Sequence, residues 1–166
     1  MPHKYQYNTK RIGEISGLDN PEEMELFAAR CASCIHNGFK LYLQGELGAG
    51  KTTFVRGLLR ALDYRGIVKS PTYTLVEYYH TASYRIFHFD LYRLATPAEL
   101  IDIGYRDYFD GHSICLVEWP ERGEGCLPVP DLVINISINP TGRDLSCQAH
   151  TAAGEKYLQR LIAVPS

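Results

Sequence analysis

The sequence predicts an α/β fold of three layers, with helices on both faces of a mixed, partly antiparallel sheet. Three observations carry that expectation. A glycine-rich loop stands between a β-prone run and a helical run at residues 40–62. Two β-hairpins are inferred at residues 73–90 and 131–151, which add antiparallel pairs to a parallel core. Between them, Ser113-Ile114-Cys115-Leu116-Val117 is a continuous apolar run, as a strand buried on both faces requires. At 166 residues the chain is long enough to bury a core of its own, and residues 1–166 are read as one domain. Hydrophobic residues make up 45% and charged residues 22%, values of a globular rather than a disordered chain. The net charge of −2 argues against a protein that coats nucleic acid. No apolar run approaches the roughly 20 residues of a membrane span. The opening Met1-Pro2-His3-Lys4-Tyr5 has no signal-peptide core, so a cytoplasmic protein with no membrane partner is expected.

Residues 1–19 are polar and tyrosine-rich, with a short strand expected near Arg11–Ile15. At Asn20-Pro21-Glu22-Glu23 a helix start is marked: Asn20 as cap, Pro21 at the first position, Glu23 completing a capping box. Met24, Phe27, Ala28, Cys31 and Ile35 then share one face, and Asn37-Gly38 is expected to end the helix. Cys31 and Cys34 form a C-x-x-C inside that helical pattern. Without a preceding strand or a second cysteine pair it reads as packing rather than a redox or metal site. The five cysteines are an odd count in a chain with no secretory signal and are expected to be reduced.

Lys40–Gln44 is a short β-prone run, and Gly45-Glu46-Leu47-Gly48-Ala49-Gly50-Lys51-Thr52-Thr53 follows it. The stretch fits G-x-x-x-x-G-K-[ST], a phosphate-binding loop. A triphosphate needs several backbone N–H donors aimed inward, and glycines allow that close approach. Lys51 can reach the β- and γ-phosphates, and the Thr52 hydroxyl can complete the shell of a Mg²⁺ ion. Val55, Leu58, Leu59 and Leu62 fall at helical spacing, so a helix N-terminus points at the same phosphates.

A polar connection, Asp63–Lys69, leads to Ser70-Pro71-Thr72-Tyr73-Thr74, read either as a strand entry with a turn or as a phosphate-sensing switch loop. Strands follow on either side of His80–Ser83, the second ending in Asp90. An acid there can face the mouth of the sheet or cap the next helix. His88 shares a face with Asp90 if the strand is regular, and reads as a packed or satisfied histidine rather than a catalytic base. Thr96-Pro97-Ala98-Glu99 marks another helix start, with Thr96 as cap. The apolar run at 113–117 ends in Glu118, in the place where P-loop enzymes usually carry an aspartate near the metal. After a Gly/Pro-rich loop, Asp131–Ile138 alternates like a half-buried strand, and Leu145–Thr151 returns as its partner. A last helix is expected over Glu155–Ile162, burying Tyr157, Leu158, Leu161 and Ile162. Arg56 and Arg60, one turn apart on the loop's helix and followed by Arg65 and Lys69, present either a basic docking face or a solvated one.

Together, the blocks G-E-L-G-A-G-K-T-T-F, K-S-P-T-Y-T-L-V-E, H-F-D-L-Y-R-L and C-L-V-E-W-P-E resemble the TsaE (also called YjeE) family, small bacterial P-loop ATPases of tRNA threonylcarbamoyladenosine synthesis. The resemblance runs from about Gly45 to Trp119. It implies a single P-loop ATPase domain that acts with the partner proteins TsaD and TsaB. Their product is N6-threonylcarbamoyl adenosine 37 of tRNAs reading A-starting codons, and the tRNA is met indirectly through that complex. Carried over by position, Glu46, Leu47, Gly48, Ala49, Gly50, Lys51, Thr52 and Thr53 would bind ATP. Thr52, Asp90 and Glu118 would hold Mg²⁺, with Lys51, Asp90 and Glu118 as the catalytic set. Thr72 would belong to the switch loop and Trp119 would flank the nucleotide. The residues also admit a small-molecule P-loop kinase, or a binding module whose hydrolysis is incidental.

Overall fold

The computed structural model describes residues 12–163. Its seven strands form one sheet in the order β1-β7-β6-β2-β5-β4-β3. These are β1 (Ile12–Leu18), β2 (Lys40–Gln44), β3 (Val76–His80), β4 (Arg85–Asp90), β5 (Ile114–Glu118), β6 (Leu132–Ile138) and β7 (Arg143–Ala149). The four α-helices are α1 (Pro21–Ala32), α2 (Lys51–Ala61), α3 (Ala98–Asp102) and α4 (Ala152–Ala163). β2 runs parallel to both β5 and β6, and β4 parallel to β5. The expected hairpins appear as the antiparallel pairs β3–β4 and β6–β7, and β1 adds an antiparallel edge on β7. Arg11, part of the first expected strand, lies outside the described residues.

Alternation along β2 sets up the layers. Leu41 and Leu43 join the larger core with residues of α1, α2 and α4. Tyr42 points the other way, into a smaller core with Phe89, Leu100, Tyr105, Val117 and Val133. The first face thus carries three long helices, while the second is covered by five-residue α3, short 3-10 turns and loops.

Local chemistry explains where the elements start and stop. Asn20 accepts from the Glu23 amide at 2.9 Å and Pro21 takes the first helical position, as expected. The Glu23 carboxylate reaches back one residue further than a capping box, to the Asp19 amide. α1 ends at Ala32 rather than near Asn37. The Ser33 hydroxyl donates to the Arg30 carbonyl at 2.7 Å and competes with the helical backbone; Cys34 and Ile35 are buried in the turns that follow. At α3 the Glu99 carboxylate accepts from the Ala95 and Thr96 amides, but Thr96 gives no side-chain cap and only five residues are helical. β6 is buried on both faces over Leu132–Ile134, because it lies between β2 and β7; the expected alternation starts only at Asn135. α4 begins at Ala152, with the Thr151 hydroxyl accepting from the Gly154 amide, and Ile162 is 61% exposed rather than buried.

α1 and α2 cross where Gly57 leaves no side chain. A Cβ there would lie 2.7 Å from the Glu25 Cα and 2.8 Å from its carbonyl oxygen. Alanine has a helix-propensity advantage over glycine of about 1 kcal/mol. Gly57→Ala is nevertheless expected to lower stability by about 1–3 kcal/mol, because the backbone it meets cannot yield cheaply. Urea denaturation measures it; an unchanged or raised midpoint would contradict the crossing described here.

Candidate functional site

β2, β5 and β4 run parallel, so their C-terminal ends open on one edge of the sheet, where ligands of α/β folds bind. The glycine-rich loop leaves β2 at that edge. Gly45 has φ of 154°, and a Cβ there would lie 2.6 Å from the Ile136 carbonyl oxygen. Gly50 has φ of 108° and hands the chain to α2. Both positions need glycine. Lys51 then starts α2 and is only 5% exposed. Its ammonium folds back to donate to the Gly45 carbonyl at 2.6 Å and the Glu46 carbonyl at 3.0 Å, and lies 4.3 Å from the Trp119 ring centroid. Burial pulls the lysine below its ordinary pKa, opposed by Glu118, Glu121, Asp90 and Glu46.

The two acids arrive from adjacent strands. Register sets Asp90 opposite Glu118, so both carboxylates project from the sheet face that carries α2. The Thr52 hydroxyl donates to the Glu118 oxygens at 3.1 and 3.4 Å. The His88 Nε2 lies 2.9 Å from Glu118 Oε1. Asp90 accepts from the Tyr92 amide at 3.0 Å and the Thr72 hydroxyl at 3.2 Å, and Ser70 lies 2.7 Å from Thr72. The Asp90 amide donates to the Leu75 carbonyl, so the 70–75 loop is tied to this acid twice. Burial pushes the Asp90 carboxyl above its ordinary range, and Glu118 adds to the rise against the Tyr92 and Thr72 hydrogen bonds.

The sign of that shift makes a prediction. The folded state holds the Asp90 proton to higher pH than the unfolded state, whose value is 3.8. Stability therefore falls as pH rises from 3.8 through the folded-state pKa, and the penalty is present above it. Asp90→Asn is expected to melt at or above the wild-type temperature at pH 7, an advantage that vanishes near pH 3.5. A lower melting temperature at pH 7 would contradict the assigned burial.

A cleft of about 450 Å³ gathers Lys51, Thr52, Thr53, Thr72, Asp90, Glu118 and Trp119 with Leu47, Gly48 and Gly50 of the loop. Glu46 and Ala49 stand outside it: Glu46 offers its carbonyl to Lys51, and Ala49 is buried beneath the loop. A second hollow of about 340 Å³ lies across the loop, lined by Leu18, Asp19, Met24 and Arg143, and shares Gly48, Gly50 and Thr53 with the first. Thr52, Asp90 and Glu118 offer only oxygen donors, which suits Mg²⁺. Among the described residues no group of three or more His, Cys, Asp or Glu side chains is gathered for a metal. A hard ion that keeps several waters and phosphate ligands needs only one or two carboxylates.

Two residues at the site carried no local signal. Arg143, at the start of β7, donates to the Ala49 and Gly48 carbonyls at 3.0 Å each and pins the loop from 94 residues away. His88, read as a packed histidine, is buried, and its partner is Glu118. Of the arginines near the motifs, only Arg93 lines the cleft; Arg85 pairs with Asp110 and Arg56 with Glu25. Arg60 shares Glu25 with Arg56, and Arg65 pairs with Asp63, so two acids offset part of the basic face considered for Arg56, Arg60, Arg65 and Lys69. Cys31 and Cys34 are buried unpaired thiols, and burial pushes Cys31 well above its ordinary pKa. No helix among the described residues is long and apolar enough to cross a membrane.

Residues 18–145 match the family model described as threonylcarbamoyl adenosine biosynthesis protein TsaE. The tRNA threonylcarbamoyladenosine biosynthesis protein TsaE of Haemophilus influenzae is 52% identical over 118 residues, 71% of this chain and 75% of the relative. The protein of the same name from Bacillus subtilis is 39% identical over 138 residues, 83% of this chain and 85% of the relative. The crystal structure of Bacillus subtilis YdiB superposes with a TM-score of 0.77 at 29% identity, covering 96% of this chain and 97% of that one.

Proposed function

The chain belongs to the TsaE family, and on that premise we propose that it binds ATP and Mg²⁺ over the glycine-rich loop and hydrolyses the nucleotide slowly in support of tRNA N6-threonylcarbamoylation. The modified base is adenosine 37 of tRNAs that read A-starting codons. The chain acts in the cytoplasm with TsaD and TsaB, meets tRNA through their complex, and depends on their contact for full turnover. The observation that carries the reading is the Thr52–Glu118 hydrogen bond beside Asp90, at the helix start that the loop presents.

Phosphoryl transfer to water asks a protein for positioning and charge neutralisation. Lys51 would exchange the Gly45 and Glu46 carbonyls for β- and γ-phosphate oxygens, and loop amides would take the rest. The Thr52 hydroxyl donates to Glu118, which leaves its oxygen's lone pairs for the ion, and Asp90 and Glu118 would complete the protein's share of the donor set. The chemistry that Mg²⁺ would supply when held by these residues is to offset the phosphate charge. Asp90 or Glu118 would orient the attacking water. The hollow beside Leu18 and Met24 shares Gly48, Gly50 and Thr53 with the cleft that holds the acids.

Arg143 holds the loop between the two by the Gly48 and Ala49 carbonyls. Arg143→Met is expected to weaken ATP binding about tenfold, ~1.4 kcal/mol, in line with loss of a hydrogen bond to a charged group. Isothermal titration measures it; an unchanged affinity would show that the tether is idle. The reading itself is tested by deleting the gene and measuring the modified adenosine in total tRNA. Rescue is expected from wild type and not from Lys51→Ala. Full modification without the gene would overturn it, and fast turnover by the purified chain, unchanged by partners, would overturn the dependence on them.

A further inference from the structure

His88 is fully buried in β4, and the proposed reaction gives it no task. Register explains its neighbour. His88 stands opposite Leu116 and Asp90 opposite Glu118, so His88 is diagonal to Glu118 on the same sheet face. Its Nε2 reaches Glu118 Oε1 at 2.9 Å, while Thr52 reaches the same carboxylate from α2. A carboxylate only accepts, so the ring nitrogen that faces it carries a proton. The other nitrogen, Nδ1, is buried and has no hydrogen-bond partner among the described residues. Leaving a buried polar atom unpaired costs about 1–3 kcal/mol, and an apolar side chain would fill the place without that penalty. Stability alone does not account for a histidine here.

We propose that His88 is a positioning residue for Glu118. Its Nε2–H fixes the carboxylate in the one orientation that receives the Thr52 proton, and so keeps the Thr52 oxygen turned toward the ion. The proposal rests on the reading of the cleft as a magnesium–nucleotide site. Residues that orient a ligand of a metal site typically change metal affinity by about 10–100-fold, and the effect should fall on the ion rather than on the phosphates.

The test compares binding of a non-hydrolysable ATP analogue in Mg²⁺ and in EDTA, by isothermal titration. His88→Leu is expected to match wild type in EDTA within about twofold while losing about tenfold of the tightening that Mg²⁺ brings. His88→Gln, whose amide can replace the Nε2–H, should recover most of it. In a Glu118→Gln background, adding His88→Leu should change the Mg²⁺ effect less than about twofold, because the residue acts through that carboxylate. Unaltered Mg²⁺ tightening in His88→Leu overturns the proposal, as does an equal loss in the Glu118→Gln background. His88→Phe is read by the same criteria where the leucine variant does not fold. A wild-type chain that binds no analogue in either buffer overturns the nucleotide reading itself, a result distinct from a failure of His88 alone.

Discussion

Lys51→Ala is expected to weaken ATP binding roughly 100-fold or more, about 2.7 kcal/mol, and to remove hydrolysis with it. The lysine is buried at the loop, with its ammonium held on two carbonyls a short swing from where the phosphates would lie. Alanine leaves those carbonyls unpaired and takes away the cation, and hydrogen bonds to charged groups are the strong ones. pH should give an independent reading of the same group. Burial lowers the Lys51 pKa, so its charge, and the affinity that depends on it, should be lost as pH rises at a midpoint below the ordinary 10.5. The stability sign is opposite. Burying the charged form is a penalty present below the folded-state pKa and relieved as pH rises toward 10.5. Lys51→Met should therefore be at least as stable as wild type at pH 7 while failing to bind. Titration of the analogue from pH 7 to 11 checks the first claim; a midpoint at or above 10.5 would refute it.

Glu118→Gln is the second large effect. The carboxylate accepts from Thr52 and from His88. An amide has one acceptor oxygen, which can keep the two nearer contacts on Oε1, but the second oxygen that Thr52 reaches at 3.4 Å becomes a donor nitrogen and the charge is lost. The variant is expected to lose about tenfold of the tightening that Mg²⁺ brings to ATP binding, as His88→Leu does, and to hydrolyse bound ATP about 100-fold more slowly, at the low end of what a positioned acid or base contributes. Single-turnover hydrolysis with excess protein separates the two quantities. Wild-type hydrolysis by this variant would remove Glu118 from the reaction.

What the sequence revealed and what it hid differ in range. The strand Lys40–Gln44 and the helix that begins at Lys51 lie where the glycine spacing put them, since loop chemistry is local. Asp90 and Glu118 end adjacent parallel strands because each closes an apolar run whose length marks its end. The hairpins were legible from their turns. The end of α1 was not, because a single serine hydroxyl competed with a helical pattern that continued past it. Arg143 was invisible, since nothing near it in sequence says that β7 returns beneath the loop. His88 was legible as packed or satisfied, but not its partner, which lies 30 residues away and is brought near only by strand register. The thin second face, built from turns around Tyr105 and Leu100, left little periodicity to read.

The double attachment of Asp90 to the segment before β3 has a mechanical consequence. Thr72 grips its carboxylate and the Leu75 carbonyl takes its amide, while Tyr73, between them, stands 84% exposed against the Arg93 guanidinium. Anything that tugs on that acid inside the cleft drags an aromatic handle on the outer wall. A molecule seated on Tyr73 would be joined to the acid in the cleft through the two hydrogen bonds on either side of that ring.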